Sequence, residues 1–172
     1  MNFAVLATGP SLNPDMVESA RACSDKVIAV SDAYRLAPWA DALVSTDYSW
    51  WRAHPEAKEF AGLKYSGMVD YQRVDGVERL NGENDTNSGL LGIKVAVLLG
   101  ATVVRLFGFD MHSPGQHFFG RHPASLRSTQ PSRMQFFKKQ FAAYRPKRVT
   151  ILNCTPGSAL TCYRHARLPE LA

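Results

Sequence analysis

The most reactive side chains of the chain are two histidines, His117 and His122, which stand close to two arginines, Arg121 and Arg127. Imidazole titrates near pH ~6.5, so either histidine can accept a proton at neutral pH and serve as a general base. Planar, permanently charged guanidinium groups bind diphosphates and carboxylates well. The pattern therefore predicts proton transfer beside an anionic group. The alternative is that both histidines only pack on the phenylalanines between them.

Polar residues follow four apolar runs of the sequence, at the point where each run ends. These exits are Thr8-Gly9-Pro10-Ser11, Ser31-Asp32, Thr46-Asp47 and Gly108-Phe109-Asp110. One exit alone is ordinary turn chemistry, because Asp and Ser are common after strands. In open α/β sheets, however, ligands bind at the carboxyl ends of the strands, where such loops gather. Together the four exits predict a small-molecule pocket.

Two of the predicted strand-to-helix junctions suit an anion. Gly9 lets the backbone approach a ligand closely, Ser11 offers a hydroxyl, and the N–H groups of the next helix favour a phosphate. Asn87-Ser88-Gly89 precedes a second apolar helix, where Ser88 is either a ligand contact or only an N-cap. Neither junction holds a GxGxxG fingerprint or a P-loop motif, so the sequence does not predict NAD binding or P-loop chemistry.

The elements that would position these residues alternate between strand and helix. Apolar runs predict strands at 3–7, 26–30, 42–45, 102–107 and 149–153, and helical spacing predicts helices from Asn13-Pro14, over 90–99 and over 133–144. Strand, helix and strand within about 30 residues form a βαβ unit. We therefore expect an α/β fold: one Rossmann-like domain over residues 1–172, with a mostly parallel sheet, helices on both faces and a long loop at about 112–132.

Length and composition bound the class of protein. With 172 residues, 45% of them apolar and 20% charged, the chain has material for one globular domain with a real core. No apolar run reaches the ~20 residues of a membrane span, and the N-terminus lacks the basic region of a signal peptide, so we expect a cytoplasmic protein. Its three cysteines have no metal-binding spacing and are expected to be free thiols.

Charge is distributed unevenly along the chain. Residues 1–120 hold 10 Lys or Arg and 14 Asp or Glu, whereas residues 121–172 hold 10 Lys or Arg and a single acid, Glu170. A basic C-terminal third favours an anionic partner, and the alternative is a solvated basic surface without a ligand. Nucleic acid is a less favoured partner, because the aromatic residues there have helical spacing and are expected in the core.

Four short motifs, in order, resemble one family. Gly9-Pro10-Ser11-Leu12 is similar to the GPSL loop of bacterial sialyltransferases that use CMP-sialic acid, of flagellin-glycosylation accessory (Maf) proteins and of MptE-like pterin diphosphokinases. Asn87-Ser88-Gly89, Gly108-Phe109-Asp110 and Pro156-Gly157-Ser158-Ala159-Leu160 are similar to later motifs of that family. The chain departs from the family at Ala7-Thr8, which replaces Gly-Asn, and at His112, which replaces a phosphate-binding tyrosine.

The resemblance implies a nucleotide site at the strand exits and a histidine base after them. It places pyrimidine or ribose contacts at Ser31 and Asp47, and sugar or ribose contacts at Asn87-Ser88-Gly89. Either His117 or His122 is the expected base, and His122 fits the spacing to the following helix better. The nucleotide-binding residues we predict are Thr8, Gly9, Pro10, Ser11, Ser31, Asp32, Asp47, Asn87, Ser88, Gly89, Asp110 and His112, with Arg121 and Arg127 on a phosphate or carboxylate.

The leading hypothesis is a nucleotide-sugar-dependent glycosyltransferase of the sialyltransferase-like type. It would bind CMP or a related nucleotide, use a nucleotide sugar as donor and a glycan or other hydroxyl compound as acceptor, and need neither metal nor cofactor. One alternative is a Mg²⁺-dependent diphosphokinase of the MptE type, with Asp32, Asp47 and Asp110 as metal ligands. The other is a non-catalytic nucleotide-binding protein that has kept only the pocket.

Overall fold

The fold is an α/β architecture with one eight-stranded parallel sheet. The computed structural model describes residues 1–67, 73–80, 87–112, 116–123, 126 and 129–167. Its strands are β1 (Asn2–Leu6), β2 (Lys26–Val30), β3 (Ala42–Val44), β4 (Leu63–Ser66), β5 (Glu78–Arg79), β6 (Val103–Phe107), β7 (Thr150–Asn153) and β8 (Arg164–His165). Its helices are α1 (Pro14–Ala22), α2 (Tyr48–Ala53), α3 (Ser88–Leu98) and α4 (Pro131–Ala143), with 3₁₀ turns at Ser31–Arg35 and Pro55–Glu59.

The strand order places a switch point between β1 and β6. From one edge to the other the order is β5-β4-β3-β2-β1-β6-β7-β8, and every pair of neighbours is parallel. The chain runs outward from β1 to β5 and then returns through α3 to place β6 on the other side of β1. The chain continues from β1 to α1 on one face of the sheet and from β6 to α4 on the other face, which opens a crevice at the carboxyl edge of the sheet.

Two separate clusters of buried residues lie on the two faces of the sheet, because successive strand side chains point to opposite sides. Phe3 and Val5 face a cluster with α3 and Phe141 of α4, whereas Ala4 and Leu6 face a cluster with α1 and α2. Helices therefore cover both faces, and strands covered on both sides are expected to be almost wholly apolar. This confirms the predicted α/β class.

Local sequence signals explain where the site-forming helices begin. The side chain of Asn13 accepts a hydrogen bond from the Met16 N–H at 2.9 Å and caps α1, whose first residue is Pro14. Of the two roles that the sequence leaves open for Ser88, the N-cap role belongs to Asn87 instead, whose Oδ1 accepts a hydrogen bond from Leu90 N–H. α3 lies close to the sheet because Gly92 has no side chain: a Cβ there would stand 2.9 Å from Val5 Cγ1.

No helix in the described part of the chain has the length and apolar character to cross a bilayer. For residues 50–87 the sequence predicts short strands and loops; β4 and β5 lie there, but so does most of the α2 helix, which begins at Tyr48. β8, a two-residue edge strand, was also not predicted.

Candidate functional site

A cavity of about 660 Å³ lies at the carboxyl edge of the sheet, above the switch point. The loop after β1 and the loop after β6 both line it, through Thr8–Pro10 and Gly108–Met111. The start of α3 at Asn87–Gly89 lines it too, although it follows β5 in the sequence. The two junctions that the sequence predicts to grip an anion thus open into one space, whose size is typical of small-molecule sites.

The loops after β1 and β6 contact each other directly. Ser11 donates from its hydroxyl to Asp110 Oδ2 at 2.8 Å and from its N–H to Asp110 Oδ1 at 3.2 Å. A Cβ on Gly9 would stand 1.9 Å from Asp110 Oδ2 and 2.3 Å from the Gly108 carbonyl oxygen. The glycine and the serine are therefore needed for the fit between the two loops. Ser11 lies outside the cavity lining, while Thr8, Gly9, Pro10 and Asp110 are part of it.

The first turn of α3 presents unpaired donors to the cavity. Asn87 is 7% exposed; its Oδ1 caps the helix, and its buried Nδ2 has no hydrogen-bond partner among the described residues. The Ser88 hydroxyl is engaged with Thr46, from whose N–H it accepts a bond at 3.0 Å. The N–H groups of Ser88 and Gly89 begin the helix and carry its positive dipole end. An anion or a carbonyl oxygen would satisfy these donors.

Two polar side chains that follow β2 and β3 complete this side of the cavity. Ser31 has a left-handed backbone with φ of 46° and donates from its hydroxyl to Ser45 Oγ at 3.1 Å. Asp47 keeps an exposed surface toward the cavity, but the surrounding protein displaces water from its carboxyl and raises its pKa. The positive charges of Arg133 and of protonated His122 act in the opposite direction on that pKa.

His117 and His122 both line the cavity, and their ring centroids are 4.4 Å apart. His117 Nδ1 is 2.9 Å from the Thr8 hydroxyl, and its ring stacks on Phe119 at 4.9 Å. Burial, together with the neighbouring His122, lowers the pKa of His117 to about 4, despite raising contributions from Thr8 and Asp32. His117 is therefore neutral at pH 7 and only a weak base.

His122 is the better placed of the two bases. Its Nδ1 is buried and has no hydrogen-bond partner among the described residues, so its lone pair or proton is not committed elsewhere. Burial lowers the pKa of His122 below its ordinary value, whereas the carboxylates of Asp32 and Asp47 act to raise it. A neutral imidazole with nearby carboxylates can accept a proton and then be stabilised as imidazolium.

Asp32 lies behind the cavity wall. It is 1% exposed, accepts a hydrogen bond from Trp50 Nε1 at 2.8 Å and pairs with Arg35 at 2.9 Å and His54 at 3.3 Å. Trp50 itself lines the cavity. Asp32 therefore holds Trp50 in the cavity wall, and its own carboxylate is not part of the cavity lining.

Two other predicted contacts, His112 and Arg121, are not part of the described cavity lining, and a third lies outside the described residues. His112 is exposed, and its Nε2 contacts the Gly157 carbonyl oxygen. Arg121 is exposed and does not line the cavity, and Arg127 lies outside the described residues. Among the described residues, the cation that does line the cavity is Arg133, near the start of α4.

Arg133 and its neighbours on α4 are the residues that sequence reasoning missed. Met134, Phe137 and Phe141 follow Arg133 at helical spacing, and all four line the cavity. The same periodicity was visible in the sequence, but it predicts a face without saying whether that face meets the core or a cavity. Phe141 is the one fully buried residue of α4, so most of this face is open.

The carboxylates that a Mg²⁺ site would need are dispersed over different contacts. Asp32 is held by Trp50 and Arg35, and Asp110 is held by Ser11, which leaves Asp47 as the one cavity carboxylate without such a bond. In the described part of the chain, no three His, Cys, Asp or Glu residues are grouped so that they could hold a metal ion. Asp47 and Asp110 line the cavity and Asp32 does not, and a Mg²⁺ ion that is bound through substrate phosphates needs only one or two carboxylates.

The described residues thus form one cavity that is lined by the start of α3, by Arg133, by the His122 imidazole and by an apolar face of α4. Comparison of the chain with protein-family models, with curated proteins and with solved structures finds no match in any of the three.

Proposed function

We propose that this protein is a glycosyltransferase that uses a nucleotide sugar, with CMP or a related nucleotide bound where the loop after β1 and the start of α3 converge. The observation that carries the proposal is this convergence on one cavity, whose lining includes Asn87, a residue whose buried Nδ2 has no hydrogen-bond partner among the described residues. A buried amide without a partner is costly, so a ligand oxygen is the natural occupant.

The phosphate end of the nucleotide is assigned to the first turn of α3. The N–H groups of Ser88 and Gly89, the Asn87 Nδ2 and the guanidinium of Arg133 all belong to the cavity lining. Helix N-termini and arginine favour phosphate through dipole, charge and planar hydrogen bonding. The same groups would stabilise negative charge that develops on a departing nucleotide.

The ribose and base are assigned to the strand exits beyond that turn. Ser31 and Asp47 line the cavity beside β2 and β3. Their hydroxyl and carboxyl oxygens can accept hydrogen bonds from ribose hydroxyls or from the amino group of a base. Thr8 and Gly9 provide the opposite wall, on the loop after β1.

In the proposed reaction an acceptor hydroxyl oxygen attacks the anomeric carbon of the donor sugar. A new carbon–oxygen bond forms, the bond from that carbon to the phosphate oxygen breaks, and the nucleotide leaves with the electron pair. The proton of the hydroxyl goes to neutral His122, whose positive charge then faces Asp47. A base of this kind contributes about 10²–10⁴ in rate.

The test is release of free nucleotide from a panel of CMP-, UDP- and GDP-activated sugars in the presence of a panel of hydroxyl compounds as acceptors, without added metal. We expect His122→Asn to lower kcat about 10²-fold or more with little change in KM, because the base acts in the transition state. His165→Asn, on exposed β8, is the matched control and should leave kcat unchanged.

Three outcomes would contradict the proposal. Nucleotide binding without turnover of any donor would indicate a binding protein. ATP consumption that requires Mg²⁺ would indicate diphosphate transfer. Equal losses of kcat in His122→Asn and His165→Asn would remove His122 as the base.

A further inference from the structure

The cavity has a second wall whose chemistry differs from that of the nucleotide end. Phe109, Met111, Met134, Phe137 and Phe141 all line it, and we call these five residues the apolar wall. None of them carries a charge or a strong hydrogen-bonding group. Phe109 and Phe141 meet edge to face at 5.9 Å and are 2% and 1% exposed, so the base of the wall is firmly packed.

The outer members of the apolar wall are only partly covered by protein. Met111 and Phe137 pack against the core cluster on one side and line the cavity on the other, and Met134 is likewise half-buried. Apolar surface left in a cavity favours an apolar occupant, by about 25 cal/mol per Å² removed from water. Methionine side chains also adapt to ligands of varied shape.

Polar groups border the apolar wall at defined places. The guanidinium of Arg133 lies 5.6 Å from the Phe137 ring centroid, and Gln130 lines the cavity one turn earlier. Asp47, which interacts electrostatically with both Arg133 and His122, marks the boundary with the nucleotide end. Among the described residues, an occupant of the wall would therefore have the Arg133 guanidinium beside it, next to Phe137.

We propose that the apolar wall is the acceptor subsite and that the acceptor is a hydroxyl compound with an aromatic or alkyl body, rather than a sugar. A sugar bound there would turn several hydroxyls toward hydrocarbon side chains, and each unpaired hydroxyl costs free energy. An apolar body with one hydroxyl directed to His122 leaves no polar group unpaired. That the compound bound at the apolar wall is the acceptor of the glycosyl transfer rests on the proposed function.

The test compares two probes by calorimetry, 2-naphthol and methyl β-galactoside, on the full chain with and without CMP. We expect 2-naphthol to bind at least about tenfold more tightly than the galactoside. Phe137→Asn should weaken 2-naphthol at least about tenfold, because it removes a large apolar contact. Phe136→Asn is the matched control: this neighbouring phenylalanine is 52% exposed and outside the cavity lining.

Met134→Gln provides a second variant of similar shape if Phe137→Asn folds poorly, and it should weaken 2-naphthol severalfold. Tighter binding of the galactoside, or equal effects of the substitutions at 136 and 137, would overturn the proposal. Failure of the nucleotide site is distinguishable, because 2-naphthol binding that depends on Phe137 would persist in a protein that binds no nucleotide.

Discussion

At the scale of single residues, the amide of Asn87 has two roles: its oxygen caps a helix, and we propose that its nitrogen binds the ligand. Oδ1 accepts a hydrogen bond from Leu90 N–H at 3.2 Å and stabilises the start of α3, whereas Nδ2 is buried without a partner among the described residues, in a side chain that lines the cavity. Asn13 has the same cap role in α1, but it is exposed at the surface. The two caps therefore allow the helix role to be separated from the ligand role.

Asn87→Asp should leave the stability of α3 almost unchanged but weaken the binding of CMP. A carboxylate still accepts from Leu90 N–H and suits the positive end of the dipole, so the free energy of unfolding should change by less than about 1 kcal/mol. The lost donor and the added negative charge should weaken CMP binding at least about tenfold. Chemical denaturation and calorimetry measure the two quantities, with Asn13→Asp as the control that changes neither by much.

If Asn87→Asp unfolds more easily than the wild type but binds CMP with normal affinity, the proposed ligand role of Asn87 is contradicted. Asn87 would then serve only as a cap, and the donors assigned to the phosphate would have to lie elsewhere.

At the scale of elements, the segment 116–123 is held against the loop after β1. Phe118 N–H donates to the Thr8 carbonyl oxygen at 3.0 Å, and the Thr8 hydroxyl meets His117 Nδ1. The Arg35 guanidinium, which is paired with Asp32, lies 5.6 Å from the Phe119 ring centroid. These contacts bury the two imidazoles and keep them neutral.

Acid should weaken this attachment. The pKa of His117 is about 4 in the folded protein and ~6.5 in the unfolded chain, so the unfolded chain binds more protons between those values. The free energy of unfolding should therefore fall as pH is lowered from about 6.5 to about 4, by on the order of 2 kcal/mol after allowance for the ring's partial exposure. Urea denaturation across that range measures the slope.

His117→Asn should flatten that slope, whatever it does to stability at pH 7, and His165→Asn should not. An unchanged slope in His117→Asn would show that other groups control acid stability.

Much of the element pattern follows from local signals in the sequence. Apolar runs mark β1, β2, β3, β6 and β7 to within one residue at either end, and Asn13-Pro14 correctly marks the start of α1. The short α2 helix was not predicted, because six residues with adjacent tryptophans show no helical periodicity. Its place depends on tertiary contacts, chiefly the bond from Trp50 to buried Asp32.

Site residues were harder to predict because their roles depend on partners distant in sequence. Ser11 and Asp110 are 99 residues apart and satisfy each other, so the serine hydroxyl is directed away from the cavity. Arg133 enters the cavity because α4 packs beside α3, and nothing local to its sequence distinguishes it from Lys139 on the same helix. The loops that follow the strands, by contrast, must meet at one edge of the sheet because the strands are parallel. Their contribution to the cavity could therefore be predicted from the sequence.

At the scale of the whole molecule, strand order decides where a ligand can bind, and net charge does not. The chain carries a formal net charge of +5, with its basic residues concentrated after position 120. Yet Arg133 is the one Lys or Arg among the described residues that line the cavity. A local cation at the switch point, rather than the basic surface as a whole, should therefore control nucleotide affinity.

Calorimetric titration of CMP into the wild type, Arg133→Gln and Lys139→Gln tests this most directly. Both substitutions lower the net charge by one on the same helix, but Lys139 is exposed and outside the cavity lining. We expect Arg133→Gln to weaken CMP about ten- to hundredfold, as loss of a charged hydrogen bond implies, and Lys139→Gln to change it less than about twofold. Equal weakening by both variants, or no CMP binding by the wild type at millimolar concentration, would contradict the claim that the switch-point cavity binds a nucleoside phosphate.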